Sequence, residues 1–161
     1  MRRVTPGAIA LQPEDLILSD FDGTISLIDT GVAMIDTLAP ADAAAAWEDE
    51  YAWRRGEISS MACLRRQWRT FYPTEAEALA FVDGLEVDPD FLALLALART
   101  RGTGIAILSD GLDFYLDRMF ANLGLRTCGD DSCLRATDCL LRFSNAATFG
   151  PDGLRIEFPY C

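Results

Sequence analysis

Leu16-Ile17-Leu18-Ser19-Asp20-Phe21-Asp22-Gly23-Thr24 is the stretch on which the fold turns. Its apolar start reads as a short buried parallel strand that ends at Ser19-Asp20. Asp20 and Asp22 stand two apart on extended backbone, so both carboxylates point into one site at the strand's end. One carboxylate can attack phosphorus and form an acyl phosphate. The other can protonate a leaving oxygen and then take a proton from water. Gly23 lets the chain turn sharply away. Paired carboxylates repel a phosphate dianion, so the arrangement calls for a cation, Mg²⁺ held by Asp20 and Asp22. A calcium loop is excluded, because position twelve counted from Asp20 is Gly31 where that loop needs Glu.

A second apolar run, Ile105 to Leu108, ends at Ser109-Asp110-Gly111. Two parallel strands ending in polar and glycine residues mark the edge where open α/β sheets bind ligands. Between them the pattern is helical. Ala41 to Arg55 is alanine-rich and stops at Gly56, and Ser60 to Phe71 stops before Pro73. Thr74 to Glu77 has the form of a capping box. Asp88-Pro89 opens a further helix with the stripe Phe91, Leu94, Leu95 and Ala98, closed by Gly102. Leu112, Tyr115, Met119 and Leu123 mark one face of another, ended by Gly124. Leu154, Ile156 and Phe158 alternate with Arg155 and Glu157, and the turn Gly150 to Gly153 predicts a hairpin with Ala146 to Phe149.

The net charge of −11 argues against binding to a nucleic-acid backbone. All 14 basic residues are Arg, and there is no Lys and no His. Mechanisms that need either residue from this chain are therefore excluded. No apolar run is long enough to span a bilayer, and no secretory signal is evident. The expected location is the cytoplasm, with reduced thiols. Cys128, Cys133 and Cys139 are irregularly spaced and are read as free cysteines rather than metal ligands.

Asp20 to Thr24 and Ser109 resemble the first and second motifs of the haloacid dehalogenase superfamily. The second aspartate is similar to that of its phosphatases and phosphomutases. The helical stretch after the first strand resembles the cap of the phosphoserine phosphatase group. Gly56 to Ser59, Leu108 to Tyr115 and the ending Phe158-Pro159-Tyr160-Cys161 look closest to the branch containing the methionine-salvage 2-hydroxy-3-keto-5-methylthiopentenyl-1-phosphate phosphatase.

The resemblance implies an α/β fold: an incomplete Rossmannoid parallel sheet in a discontinuous core, residues 1–26 and 100–161. Residues 27–99 would be a helical cap. It implies a Mg²⁺-dependent phosphomonoesterase acting on a small phosphorylated metabolite. Asp20 would be the nucleophile and metal ligand, and Asp22 the acid/base and second ligand. Phe21, Gly23, Thr24, Ser109, Asp110 and Gly111 would hold the phosphoryl group. Trp47, Tyr51, Arg54, Arg65 and Arg66 are candidates to face substrate from the cap.

Two expected elements are missing, a third-motif Lys and a fourth-motif Asp. Gly129-Asp130-Asp131 is rejected as the latter, because Leu125 to Cys128 is too polar and short for the buried strand that should precede it. The expectation is thus a chain truncated at its C-terminal side and inactive alone. Its first strand would be left as an apolar sheet edge. A phosphate- or protein-binding remnant and a phosphomutase are the alternatives.

Overall fold

The computed structural model describes residues 12, 14–69, 71–134, 136 and 138–160. The first apolar run forms β1 (Leu16–Ser19). Helices α1 (Thr30–Leu38), α2 (Ala43–Arg54), α3 (Ser60–Gln67), α4 (Glu75–Val82) and α5 (Pro89–Arg101) follow. The chain continues through β2 (Gly104–Leu112), α6 (Asp113–Asn122), β3 (Arg126–Cys128), a 3-10 turn over Asp131–Cys133, β4 (Cys139–Gly150) and β5 (Gly153–Glu157).

Local chemistry sets most of these boundaries. The Thr74 hydroxyl accepts from the Glu77 N–H while the Glu77 carboxylate accepts from the Thr74 N–H, completing the capping box of α4. Asp88 caps α5, Pro89 occupies its first turn, and Gly102 ends it in the left-handed region at φ 71°. Asp29 caps α1 by accepting from the Val32 N–H at 3.0 Å. That signal is masked in the sequence by Gly31, a poor helix former, immediately behind it.

The sheet runs β1-β2-β4-β3 with every pair in that path parallel, and β5 pairs antiparallel with β4. The polypeptide leaves β1 and wanders through α1 to α4 before returning. Its two ends are tied where Ser26 bridges Val87 and the Asp88 N–H donates to the Ile25 carbonyl at 2.8 Å. Helices α5 and α6 pack on one sheet face, where Ile105, Ile107 and Leu140 meet Phe91, Leu95, Leu116 and Phe120. Among the described residues, the buried cluster on the opposite face is Ala106, Leu141, Cys133 and Cys139. Leu16, Leu18 and Leu108 remain 49%, 61% and 44% exposed.

Two sequence expectations need correction. β1, read as a buried strand, leaves Leu16 and Leu18 exposed, because it has one strand neighbour among the described residues. Residues 126–128 form a strand, but at the sheet edge and not buried, as their polarity implied: Arg126 pairs with Cys139 and Cys128 with Leu141. β4 begins at Cys139, well before the expected Ala146. Arg142, Ser144 and Asn145 break its apolar pattern, and each has a partner. The Arg142 guanidinium pairs with Asp117 at 2.8 Å and contacts the Ser144 hydroxyl, and the Asn145 amide donates to the Asp110 carbonyl at 2.6 Å. The hairpin lies where the turn signal puts it, with Gly150 opposite Gly153.

Candidate active site

β1 and β2 end side by side, and their C-terminal ends open into a cleft of about 660 Å³. Asp20, Asp22, Ser109, Asp110 and Gly111 all line it. The first pair arrives directly off β1. The others sit on an irregularity in β2: Leu108 pairs with Phe143 and Leu112 with Asn145, so three residues of β2 span what one residue spans on β4. A bulge of this kind re-aims side chains beside a site. Asn145, through its bond to the Asp110 carbonyl, holds the bulge in place.

Asp22 is the best-defined group. Its Oδ1 accepts from the Thr30 N–H at 2.9 Å and its Oδ2 from the Tyr115 hydroxyl at 3.0 Å. Burial pushes its carboxyl up to about 6, opposed by the Thr30 N–H and assisted by the nearby negative charge of Asp29. Tyr115 is itself buried, and burial together with the Asp22 charge holds its hydroxyl in the protonated, donating form. A side chain on Gly111 would collide with Asp22 Oδ2 at 2.7 Å, Ser109 Oγ at 2.9 Å and the Tyr115 hydroxyl. These three oxygens thus converge on a space that only glycine leaves open.

The rest of the first motif faces elsewhere. Phe21 is fully buried, its ring 5.5 Å from that of Phe120, and its N–H donates to Asp20 Oδ1 at 2.7 Å. Gly23, at φ 70°, makes the turn, and its N–H is taken up by the Ile28 carbonyl and the Ser26 hydroxyl. Among the described residues, Phe21, Gly23 and Thr24 do not line the cleft. Of the aromatic and basic candidates between 47 and 66, Arg54 does, bonded to the buried Glu50 at 2.8 Å. Trp47 donates to Asp36, Arg65 lies over the Phe158 ring, and Arg66 pairs with Asp49.

The cleft is acidic. Asp20, Asp22, Asp29, Glu50 and Asp110 face it, and Arg54 is its one basic side chain among the described residues. Trp53, Leu64 and Trp68 give it an apolar wall. Oxygen donors in such excess suit a hard cation, and Asp20, Asp22 and Asp110 are the carboxylates carried at the ends of β1 and β2. Tyr115 and Asn145 escape sequence reading. Tyr115 looks like an ordinary member of a helical stripe, and its partner Asp22 lies 93 residues away.

Residues 17–149 match the model of the haloacid dehalogenase-like hydrolases. The chain belongs to that family. Within it, the chain is 27% identical to the 2-hydroxy-3-keto-5-methylthiopentenyl-1-phosphate phosphatase of Exiguobacterium sibiricum, across 89% of this chain and 60% of that protein. A haloacid dehalogenase family hydrolase from Salmonella enterica serovar Typhi superposes with a TM-score of 0.70 at 23% identity, covering 92% of this chain and 47% of that one. A phosphoserine phosphatase, solved as an analogue of its phospho-aspartyl intermediate, gives 0.67 at 17% identity, with 89% and 63% covered. These likenesses show a haloacid dehalogenase-like α/β fold, and the chain spans less than two thirds of each protein. No helix among the described residues is long and apolar enough to cross a membrane.

Proposed function

We propose that this chain carries the phosphoryl-transfer site of a Mg²⁺-dependent phosphomonoesterase acting on a small phosphorylated metabolite. The observation that carries this reading is the meeting of Asp20, Asp22 and Ser109 in one cleft at adjacent parallel strand ends. A carboxyl held near 6 suits a group that must give and take a proton near neutrality.

An Asp20 carboxylate oxygen attacks phosphorus, and the bond to the ester oxygen breaks. The leaving oxygen takes the proton from Asp22. Water then attacks the aspartyl-phosphate and returns a proton to Asp22, the bond to Asp20 breaks, and inorganic phosphate leaves. Ser109 Oγ, with the Gly111 N–H bonded to it at 2.9 Å, donates to the phosphoryl oxygens. Tyr115 and the Thr30 N–H orient Asp22. Mg²⁺, held by Asp20 and Asp22, would supply the positive charge that brings an anionic ester to an acidic cleft.

Residues 27–99 are proposed as a cap over a core of 1–26 and 100–161. The tie between Ser26 and Val87 supports a narrow neck. The packing of α5 on the core supports moving the second boundary back to that neck. A substrate of the size and phosphate chemistry in the Exiguobacterium relative's name fits the cleft volume, and a cytoplasmic setting is proposed with it.

The absence of Lys favours a second reading for the 161 residues alone, phosphate binding without turnover. Losing one preorganised charge costs about 10²–10³-fold in rate. Phosphate release from a panel of metabolite phosphates in Mg²⁺ separates the readings. The chain alone is expected to release at least about 10²-fold less than a version extended to its relatives' length. The extended protein's activity should vanish in Asp20→Asn. Release that survives Asp20→Asn overturns the proposal, and phosphoryl transfer to a second position of the substrate without net release indicates a phosphomutase.

A further inference from the structure

Far from the carboxylate cleft in chemical character, three cysteines converge on the sheet face opposite α5 and α6, which no α-helix among the described residues covers. Cys128 ends β3, Cys133 ends the 3-10 turn, and Cys139 begins β4. Cys128 pairs with Leu141 and Cys139 with Arg126, so the two strand cysteines stand on adjacent strands, two residues out of step, on one face. The turn lowers Cys133 onto them, with Cα separations of 6.1 Å to Cys128 and 5.1 Å to Cys139. All three sulfurs lie within 4.8 Å of one another. Cys133 and Cys139 are buried, and Cys128 is half-buried. The irregular spacing, read as free cysteines, gives no sign of this convergence.

The sulfur of Cys133 sits in bonding contact with both of the others. A sulfur enters one disulfide at a time, so those pairings exclude each other, and either would leave a third sulfur unused. Forming either would also require an oxidant to remove two electrons. One arrangement uses all three sulfurs at once without redox chemistry: three thiolates on one cation.

We propose that Cys128, Cys133 and Cys139 bind a thiophilic divalent cation of the Zn²⁺ class. Tetrahedral coordination with bonds of about 2.3 Å places sulfurs about 3.8 Å apart, so the Cys133 sulfur would draw back from both neighbours by side-chain rotation, for which Cα separations of 6.1 Å and 5.1 Å leave room. The fourth position belongs to the Asp130 carboxylate or to water. Asp130 Oδ1 lies 4.0 Å from Cys128 Sγ, and its loop is already folded toward the sulfurs. The Ser132 N–H donates to Asp130 Oδ1 at 2.8 Å, and the Cys128 thiol donates to the Asp130 carbonyl at 3.1 Å. Soft thiolates select such a cation over the hard, oxygen-seeking Mg²⁺ of the cleft, so the two sites do not compete. Metal binding would displace the thiol protons and clamp β3, the turn and β4 together where the sheet has only a four-residue buried cluster.

The test is metal analysis of the chain purified under reducing, chelator-free conditions, followed by Co²⁺ titration of the stripped protein. One Zn²⁺ per chain is expected, as are thiolate-to-Co²⁺ charge transfer and the visible bands of a tetrahedral site. Cys133→Ser should weaken Co²⁺ affinity by more than about 100-fold, beyond the cost of losing a mere outer-shell partner. Should Cys133→Ser fail to fold, Cys128→Ser at the half-buried strand end reads the same loss. Cys63→Ser, at the buried free cysteine, should keep the Co²⁺ spectrum. Reduced wild-type protein that takes up no Co²⁺ overturns the proposal. So does Co²⁺ binding unchanged in Cys133→Ser or Cys128→Ser, or lost in Cys63→Ser.

Discussion

At the scale of single residues, Asp22 shows how the site trades stability for chemistry. Its carboxyl is raised from 3.8 to about 6 in the folded chain, chiefly by burial. A folded-state value above the unfolded one means the native state binds the proton more tightly. Stability from this group is therefore full below about pH 4 and falls as pH rises toward 6. The shift corresponds to about 3 kcal/mol at most, since each pKa step is worth about 1.4 kcal/mol. Asp22→Asn, which stays neutral, should be more stable than the parent by about 1–3 kcal/mol at pH 7. The difference should shrink to near zero at pH 3. Denaturant unfolding of both proteins at the two pH values, without divalent cations, checks this, and a pH-independent difference would count against it. Asp20 and Asp22 are legible in the sequence because a two-residue spacing on a strand dictates direction. Tyr115 and Asn145 are not. Their roles depend on contacts that only the fold creates, such as the bond between Asn145 and the Asp110 carbonyl 35 residues earlier.

At the scale of elements, the legible ones carry their own punctuation. Thr74 with Glu77, Asp88 with Pro89, and Gly102 each mark a helix end by chemistry that acts within a few residues. β3 and β4 lack such marks. Thr127 satisfies its hydroxyl on Asp117, and Arg142 reaches the same carboxylate, so both strands hold polar residues through a shared partner on α6. No pattern within either strand announces that. β1 shows the opposite case. Its apolar run is plain in the sequence, yet Leu18 is 61% exposed, and β2 is its one strand neighbour among the described residues. An apolar edge of this kind templates pairing with another chain. Leu18→Lys should lower self-association of the 161-residue chain without loss of helical signal. Light scattering across a concentration series reads the outcome, and unchanged scattering would show that β1 is not the adhesive edge.

At the scale of the whole molecule, one sheet, with α5 and α6 packed on one face, presents its strand ends to a cleft. Everything chemical in that cleft hangs on where those ends stop. The fold class was readable because two apolar runs with matching polar ends imply parallel neighbours. The open second face was not readable, since its exposure depends on which face α5 and α6 choose; only the unpaired edge of β1 was legible. The central claim is that Asp20 accepts a phosphoryl group. It can be tested without turnover, and so without the charges this chain lacks. Beryllium trifluoride mimics a phosphoryl group on a carboxylate, and fluorine NMR detects it bound. With excess Mg²⁺, the 161-residue chain should show bound fluoride resonances that require Mg²⁺ and are absent in Asp20→Asn. Asp83→Asn, altered at the exposed partner of Arg118, should retain them. Bound resonances that persist in Asp20→Asn, or none in the parent chain at saturating Mg²⁺, would contradict the account.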